Sequence, residues 1–260
     1  MLFGHGSAGI SLSLIVGSAP SAKDLVDLRL DGVCRISVNN AWRIRNDFHY
    51  SIFPKDFPAE RRPGPDWPAT IVTNAGYIPA MNAAGGIIFC GATMAFAAGY
   101  WAAHTLATPV VAFYASDMVY DGTPTHFYGT GSPDPLRDNV SLRSLEAKSV
   151  RLFAWALARG VLLVNSSRAP TSRLVFPRLS LGAARIWPGQ SHLADAWRPL
   201  LEEAARIRAV EATASFDALR EDIGRLADRP ENLAFIEAVD RAWLATIPLV
   251  AEGWAEFRAD

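Results

Sequence analysis

Cysteine is scarce in this sequence, and the cross-linking or metal-binding patterns that cysteine provides are missing. The 260 residues include only Cys34 and Cys90, with no CxxC motif and no Cys/His cluster. Neither a disulfide framework nor a zinc site is therefore predicted. Half of the residues are hydrophobic, which suffices for a buried core without such links. We expect a reducing compartment, the cytoplasm, and no metal or other cofactor.

The sequence also lacks an excess of either positive or negative charge. The chain has 25 Lys and Arg against 26 Asp and Glu, and the scattered basic residues predict no nucleic-acid partner. No Lys or Arg precedes Lys23, so the first apolar run is interpreted as a strand rather than a signal peptide. The apolar stretch from Gly85 to His104 contains four glycines and is interpreted as a buried helix rather than a membrane span.

Short apolar runs that end in polar residues alternate with helical patterns along the first part of the chain. The runs predicted as strands are 12–17, 34–40, 47–54, 69–75, 109–117 and 161–167. Their alternation with helices predicts an α/β fold with a doubly wound, mostly parallel, Rossmann-like sheet. From about residue 191 the pattern is helical, with one apolar stripe from Trp197 to Ile207 and another from Phe216 to Leu226. We therefore expect a domain at 1–190 and a helical extension at 191–260.

Polar residues follow most of the predicted strands. Ligands of an open parallel sheet bind outside the carboxyl ends of its strands, and polar groups there suit a nucleoside and a sugar. The candidate binding residues at these ends are Ser18, Ser21, Asn39, Asn40, Asn74, Ser116, Asp117, Asn165, Ser166 and Ser167. The alternative is that Asn, Ser and Asp merely form the turns after strands.

Two glycine-containing turns are further binding candidates. The turn from Gly17 to Ser21, which includes Pro20, is neither a GxGxxG nor a Walker motif, yet it can present backbone N–H groups. Gly85 and Gly86 begin the predicted long helix, and a helix N-terminus attracts phosphate or carboxylate. Close packing of that helix on the sheet is the alternative reason for these glycines.

His126 is the candidate general base among the five histidines. It lies in a long loop after Asp117, and a near-neutral pKa suits proton transfer. His49 and His104 are interpreted as structural. The alternative for His126 is an ordinary surface position.

In their order along the chain, several segments resemble the bacterial sialyltransferases that use CMP-activated sialic acid, and the wider DUF115-type relatives. The segments are GSAPS (17–21), VNNAW (38–42), HYSIFPKDF (49–57), ATIVTNAGY (69–77), VVAFYASDMVY (110–120), THFYGTG (125–131) and LLVNSS (162–167). The position of that family's proposed base is Thr130 here, and His126 matches an earlier His of the same segment.

The resemblance implies a GT-A-variant fold and a glycosyltransferase. A sialic-acid-like sugar would move from CMP or another nucleotide to a glycan hydroxyl by direct displacement, without a metal. His126, Asp117 and Tyr128 would be catalytic, and Lys55 and Tyr120 would join the binding residues. The sequence leaves open whether the protein associates peripherally with a membrane and whether it forms a homo-oligomer.

Two other functions remain open. One is a pterin diphosphokinase, which belongs to the same wider family and would hold Mg²⁺ through Asp117, Asp121 and Asp134. The other is a non-catalytic nucleotide-sugar-binding protein, which Thr130 at the position of the family's base suggests.

Overall fold

The computed structural model of the chain describes residues 11–130, 139–187, 193–214 and 229–258. Six strands form one sheet in the order β4-β3-β2-β1-β5-β6, and every pairing is parallel. The strands are β1 Leu12–Val16, β2 Val33–Val38, β3 Tyr50–Ile52, β4 Thr70–Val72, β5 Val110–Tyr114 and β6 Leu162–Asn165. The predicted doubly wound α/β fold is confirmed.

Helices cover the sheet and continue beyond it. The α-helices of the described residues are α1 Asn74–Ala83, α2 Ile87–Cys90, α3 Met94–Thr105, α4 Leu145–Leu157, α5 Leu181–Arg185, α6 Leu193–Ala196, α7 Arg198–Glu211, α8 Pro230–Ala245 and α9 Ile247–Phe257. Short 3₁₀ helices follow the first two strands, at Pro20–Leu25 and Asn39–Ile44. None of the described helices is long and apolar enough to cross a membrane.

The switch point of the sheet, where the order of strand addition reverses, lies between β1 and β5. From β1 to β4 each new strand adds on one side, and β5 then pairs with the other side of β1. Right-handed crossovers place the two 3₁₀ helices on one face and α3 and α4 on the other. Residues in β1, β5 and β6 are buried throughout, as expected for strands covered on both faces. Such a reversal creates a crevice for ligands at the carboxyl ends.

The prediction of one long helix from Gly86 to His104 is wrong, because the helix is interrupted at Gly91. Gly91 has φ +84°, and a Cβ atom there would lie 2.8 Å from the ring of Phe96. The segment therefore forms the short α2 and then α3, whose N-terminus Thr93 caps by accepting a hydrogen bond from the Phe96 N–H. The predicted strand at 69–75 is also too long, since α1 begins at Asn74.

The C-terminal helices pack against α4. Helices α7 and α8 both contact α4, and Trp197, Leu200, Ala204 and Ile207 of the first predicted stripe are buried. The second stripe, from Phe216 to Leu226, lies outside the described residues.

Candidate functional site

The turn after β1 lies directly against the backbone after β5. The Gly17 N–H donates to the carbonyl of Tyr114 at 2.9 Å, and the Ala19 N–H donates to that of Ala115 at 3.0 Å. A Cβ atom at Gly17 would lie 2.2 Å from the Ala115 carbonyl oxygen. Only glycine fits this approach, so Gly17 allows the turn after β1 to lie against the backbone after β5.

Three non-glycine residues adopt left-handed backbone conformations at this edge. Asn39 follows β2 with φ +51°, and Ala115 and Met118 follow β5 with φ +54° each. Such conformations cost on the order of 1–3 kcal/mol each and concentrate at functional sites. Their position directly after two strands supports a site at this edge.

The loop after Asp117 folds back and places His126 beside the end of β1. The Phe127 N–H donates to the carbonyl of Ser18 at 3.0 Å, and a tight turn joins His126 to Gly129. The His126 ring stacks on Tyr128 at 4.9 Å between centroids and lies 5.8 Å from Tyr120. The structure therefore brings His126, Tyr128, Tyr120 and Ser18 together.

A hydroxyl group defines which nitrogen of His126 carries the proton. Thr125 Oγ1 lies 2.5 Å from the Thr130 carbonyl oxygen and 2.9 Å from His126 Nδ1. Because the carbonyl can only accept, the single hydroxyl proton of Thr125 points to Thr130, and Oγ1 accepts from Nδ1–H. In the neutral ring, Nε2 then has the lone pair that can accept a proton.

The protonation state of His126 also suits a base. Burial lowers the pKa of His126 below its ordinary 6.5, and the Thr130 backbone opposes this shift less strongly. The neutral imidazole is therefore the main form at pH 7. A general base must be unprotonated before the reaction begins.

Three buried oxygens near the ends of β1 and β2 have no hydrogen-bond partner within the described structure. They are Ser21 Oγ, Asn39 Oδ1 and Asn40 Oδ1. These residues belong to the two 3₁₀ helices or the turn before them, and the two helices contact each other. An unpaired buried acceptor costs about 1–3 kcal/mol. Hydroxyl or N–H donors of a ligand would remove that cost.

Asp117 and the polar residues after β6 bind one another. The Ser167 hydroxyl donates to Asp117 Oδ2 at 2.5 Å, and Asn165 Nδ2 donates to Oδ1 at 3.3 Å. Asn165 also accepts from the Ser167 N–H, and the Ser166 hydroxyl donates to the Leu179 carbonyl. These contacts order the loops after β5 and β6. Ser116, whose hydroxyl lies 3.4 Å from the Tyr114 carbonyl, is buried beside Gly17.

Four predicted binding residues lie away from the switch point between β1 and β5. They are Lys55, Asn74, Gly85 and Gly86. Asn74 accepts from the Lys55 N–H and the Tyr77 hydroxyl, and β4 is three positions from β1, about 14 Å at ~4.8 Å per strand. Gly85 and Gly86 connect α1 to the four-residue α2 rather than opening a long helix. The helix-dipole reason for an anion site at these glycines is thereby removed.

Sequence reasoning missed two residues at this edge. Thr125 orients His126, and its only sequence signal is a hydroxyl next to the histidine. Arg168 is an exposed cation directly after Ser167, beside the end of β5. The predicted turn residue Pro20 is exposed and begins the first 3₁₀ helix.

No group of three or more His, Cys, Asp or Glu side chains in the described residues is arranged to hold a metal ion. Of the carboxylates considered for Mg²⁺, Asp117 is buried and hydrogen-bonded through both oxygens, while Asp121 is exposed. Asp134 lies outside the described residues.

No protein-family model matches the chain, and comparisons with curated proteins and with solved structures give no significant match. We therefore base the functional inference on the chemistry of these residues.

Proposed function

We propose that this protein is a glycosyltransferase that uses a nucleotide-activated sugar, with His126 as the general base. One observation carries the proposal: His126 is held beside the end of β1 with a lone pair on Nε2 and a lowered pKa. The resemblance to CMP-dependent sialyltransferases favours a CMP-linked, sialic-acid-like donor and a glycan acceptor.

The donor would lie across the carboxyl ends of β1 and β2. Its nucleoside hydroxyl or amino groups would donate to Ser21 Oγ, Asn39 Oδ1 and Asn40 Oδ1, which lack partners in the described structure. The strained backbone after β2 and β5 supports ligand contact at the same edge.

The transfer is a direct displacement. An acceptor hydroxyl gives its proton to His126 Nε2 while its oxygen bonds to the anomeric carbon, and the bond from that carbon to the nucleotide phosphate breaks. The leaving phosphate gains negative charge, for which Tyr128, Tyr120 and Arg168 are the candidate partners. Oriented donors at the point where charge develops lower such barriers.

A diphosphokinase has less support in the described residues, because Asp117 already accepts hydrogen bonds from Asn165 and Ser167. The two functions differ in their need for Mg²⁺. We expect nucleotide release from a donor sugar to continue in EDTA.

Screening CMP-, UDP- and GDP-linked sugars for nucleotide release tests the proposal, and calorimetry with the free nucleotides locates the site. We expect Asn40→Ala to weaken binding of the released nucleotide by about 5- to 150-fold, since about 1–3 kcal/mol follows from leaving a ligand donor unpaired. Asn82→Ala, on α1, is the matched control and should leave affinity unchanged. Absence of both release and nucleotide binding would contradict the proposal.

A further inference from the structure

A pocket lies along the 3₁₀ helix that follows β2. It occupies about 420 Å³ between the 3₁₀ helix Asn39–Ile44 and the loop before β4, a volume within the usual range of about 300–1,000 Å³ for ligand sites. Its lining includes Val26, Trp42, Arg43, Arg45, Asp47 and Trp67. We call it the Trp42/Trp67 pocket.

The two tryptophans are fixed through their polar edges. Trp42 Nε1 donates to the Arg61 carbonyl and Trp67 Nε1 donates to Ser51 Oγ, each at 2.9 Å. The rings meet edge to face with centroids 5.3 Å apart. Both side chains are half-buried, so rigid apolar ring surface lines the pocket. Such surface packs against the C–H face of a pyranose at a small cost in side-chain entropy.

The polar groups of the pocket leave one positive charge unbalanced. Arg45 pairs with both oxygens of Asp47 at 2.8 Å and donates to backbone carbonyls. Arg43 is exposed, its guanidinium lies 5.4 Å from the Trp42 ring centroid, and it forms no ion pair with the described part of the chain. A guanidinium binds carboxylate groups in a planar, paired geometry.

The pocket and the strand-end site share one 3₁₀ helix. Asn39 and Asn40 begin the same 3₁₀ helix that contains Trp42, and a rise of about 2.0 Å per residue separates residues 39 and 42 by about 6 Å. That spacing places the pocket next to the proposed nucleoside site.

We propose that the Trp42/Trp67 pocket binds a carboxylate-bearing sugar ring, packed against one indole ring and paired with Arg43. Sugar binding at the pocket does not depend on nucleotide binding, so the two are tested separately.

Fluorine NMR of the protein labelled with 5-fluorotryptophan measures the pocket directly. Trp42→Phe and Trp67→Phe identify the two resonances. We expect glucuronate to shift both resonances, and glucose to shift them only at much higher concentration. Arg43→Gln should weaken glucuronate binding by about 10-fold, as expected for a lost charged hydrogen bond. Arg206→Gln, on the exposed face of α7, is the matched control and should bind normally.

The outcomes separate the two proposals. If neither sugar moves the Trp42 and Trp67 resonances up to the solubility limit, the subsite is wrong even where nucleotides bind. If acetate shifts them as strongly as glucuronate, the pocket binds anions only, and if CMP shifts them the pocket belongs to the nucleoside. Either result overturns the assignment. If glucuronate shifts the two resonances but no nucleotide binds, the sugar pocket is supported and the transferase proposal is contradicted.

Discussion

The single hydroxyl of Thr125 holds the ring of His126, the proposed base. We expect Thr125→Val to lower kcat by about 10-fold, because losing one hydrogen bond of about 1.4 kcal/mol releases the ring from its tautomer and orientation. KM for the donor should stay unchanged, and Thr125→Ser should restore the rate. Steady-state kinetics of the three proteins check this positioning role. A loss of donor affinity with normal kcat would contradict it.

The expected pH dependence of the proposed reaction follows from the burial of His126. Because burial lowers the pKa of His126 from its ordinary 6.5, the base form persists below that pH and is lost only as the pH falls through the lowered value. We expect the acid limb of the kcat/KM profile to have its midpoint below 6.5. A midpoint at or above 6.5 would show that a different group takes the proton.

The polar residues of the edge were predictable from sequence, but their roles were not. The pattern of Asn, Ser or Asp after an apolar run predicts Asn39, Asp117 and Asn165 equally as binding residues. The structure shows that Asp117 and Asn165 bind each other while Asn39 has an unpaired oxygen. That difference depends on contacts between residues 48 positions apart, which no local pattern contains.

At the scale of elements, the approach of β1 to β5 depends on Gly17. We expect Gly17→Ala to destabilise the fold by about 1–3 kcal/mol, the usual cost of inserting a methyl group where there is no space. Gly64→Ala is the matched control, since a Cβ there meets no atom within 4 Å. Urea unfolding midpoints measure both. Equal midpoints would contradict the close approach of the turn after β1 to the backbone after β5.

The six strands were predicted, although β3 and β4 are shorter than the runs that predicted them, and the helices between β4 and β5 were not predicted. Buried parallel strands form continuous apolar runs, which are visible at Leu12–Val16 and Val110–Tyr114. Residues of α3 are buried on nearly all sides, so no amphipathic period marks its ends. Helix α1 contains Pro79, which usually argues against a helix interior.

Two buried ion pairs join α4 to the C-terminal helices. Lys148 pairs with Asp240 of α8 at 3.0 Å, and Arg151 pairs with Glu211 of α7 at 2.6 Å. Glu211 also accepts from Trp243 Nε1 at 2.7 Å. The side chains of Lys148 and Arg151 are almost fully buried, so the sheet and the C-terminal helices depend on each other. The domain boundary at 190 stays a prediction.

Removing one member of such a pair should be costly. We expect Glu211→Ala to lower the free energy of unfolding by about 3–5 kcal/mol, because Arg151 is left as an uncompensated buried charge. Glu203→Ala removes the partner of Arg206 in an exposed pair and should cost at most about 1 kcal/mol. Denaturant unfolding compares them. Similar losses for both variants would contradict the coupling.

The turnover of His126→Ala, measured as nucleotide release from the donor sugar that the screen identifies, shows whether His126 is the base. We predict a fall in kcat of about 10²–10⁴-fold with nucleotide affinity unchanged. His104→Ala, at the exposed end of α3, is the control and should react at the normal rate. Equal rates for wild type, His104→Ala and His126→Ala would contradict the assignment of the base.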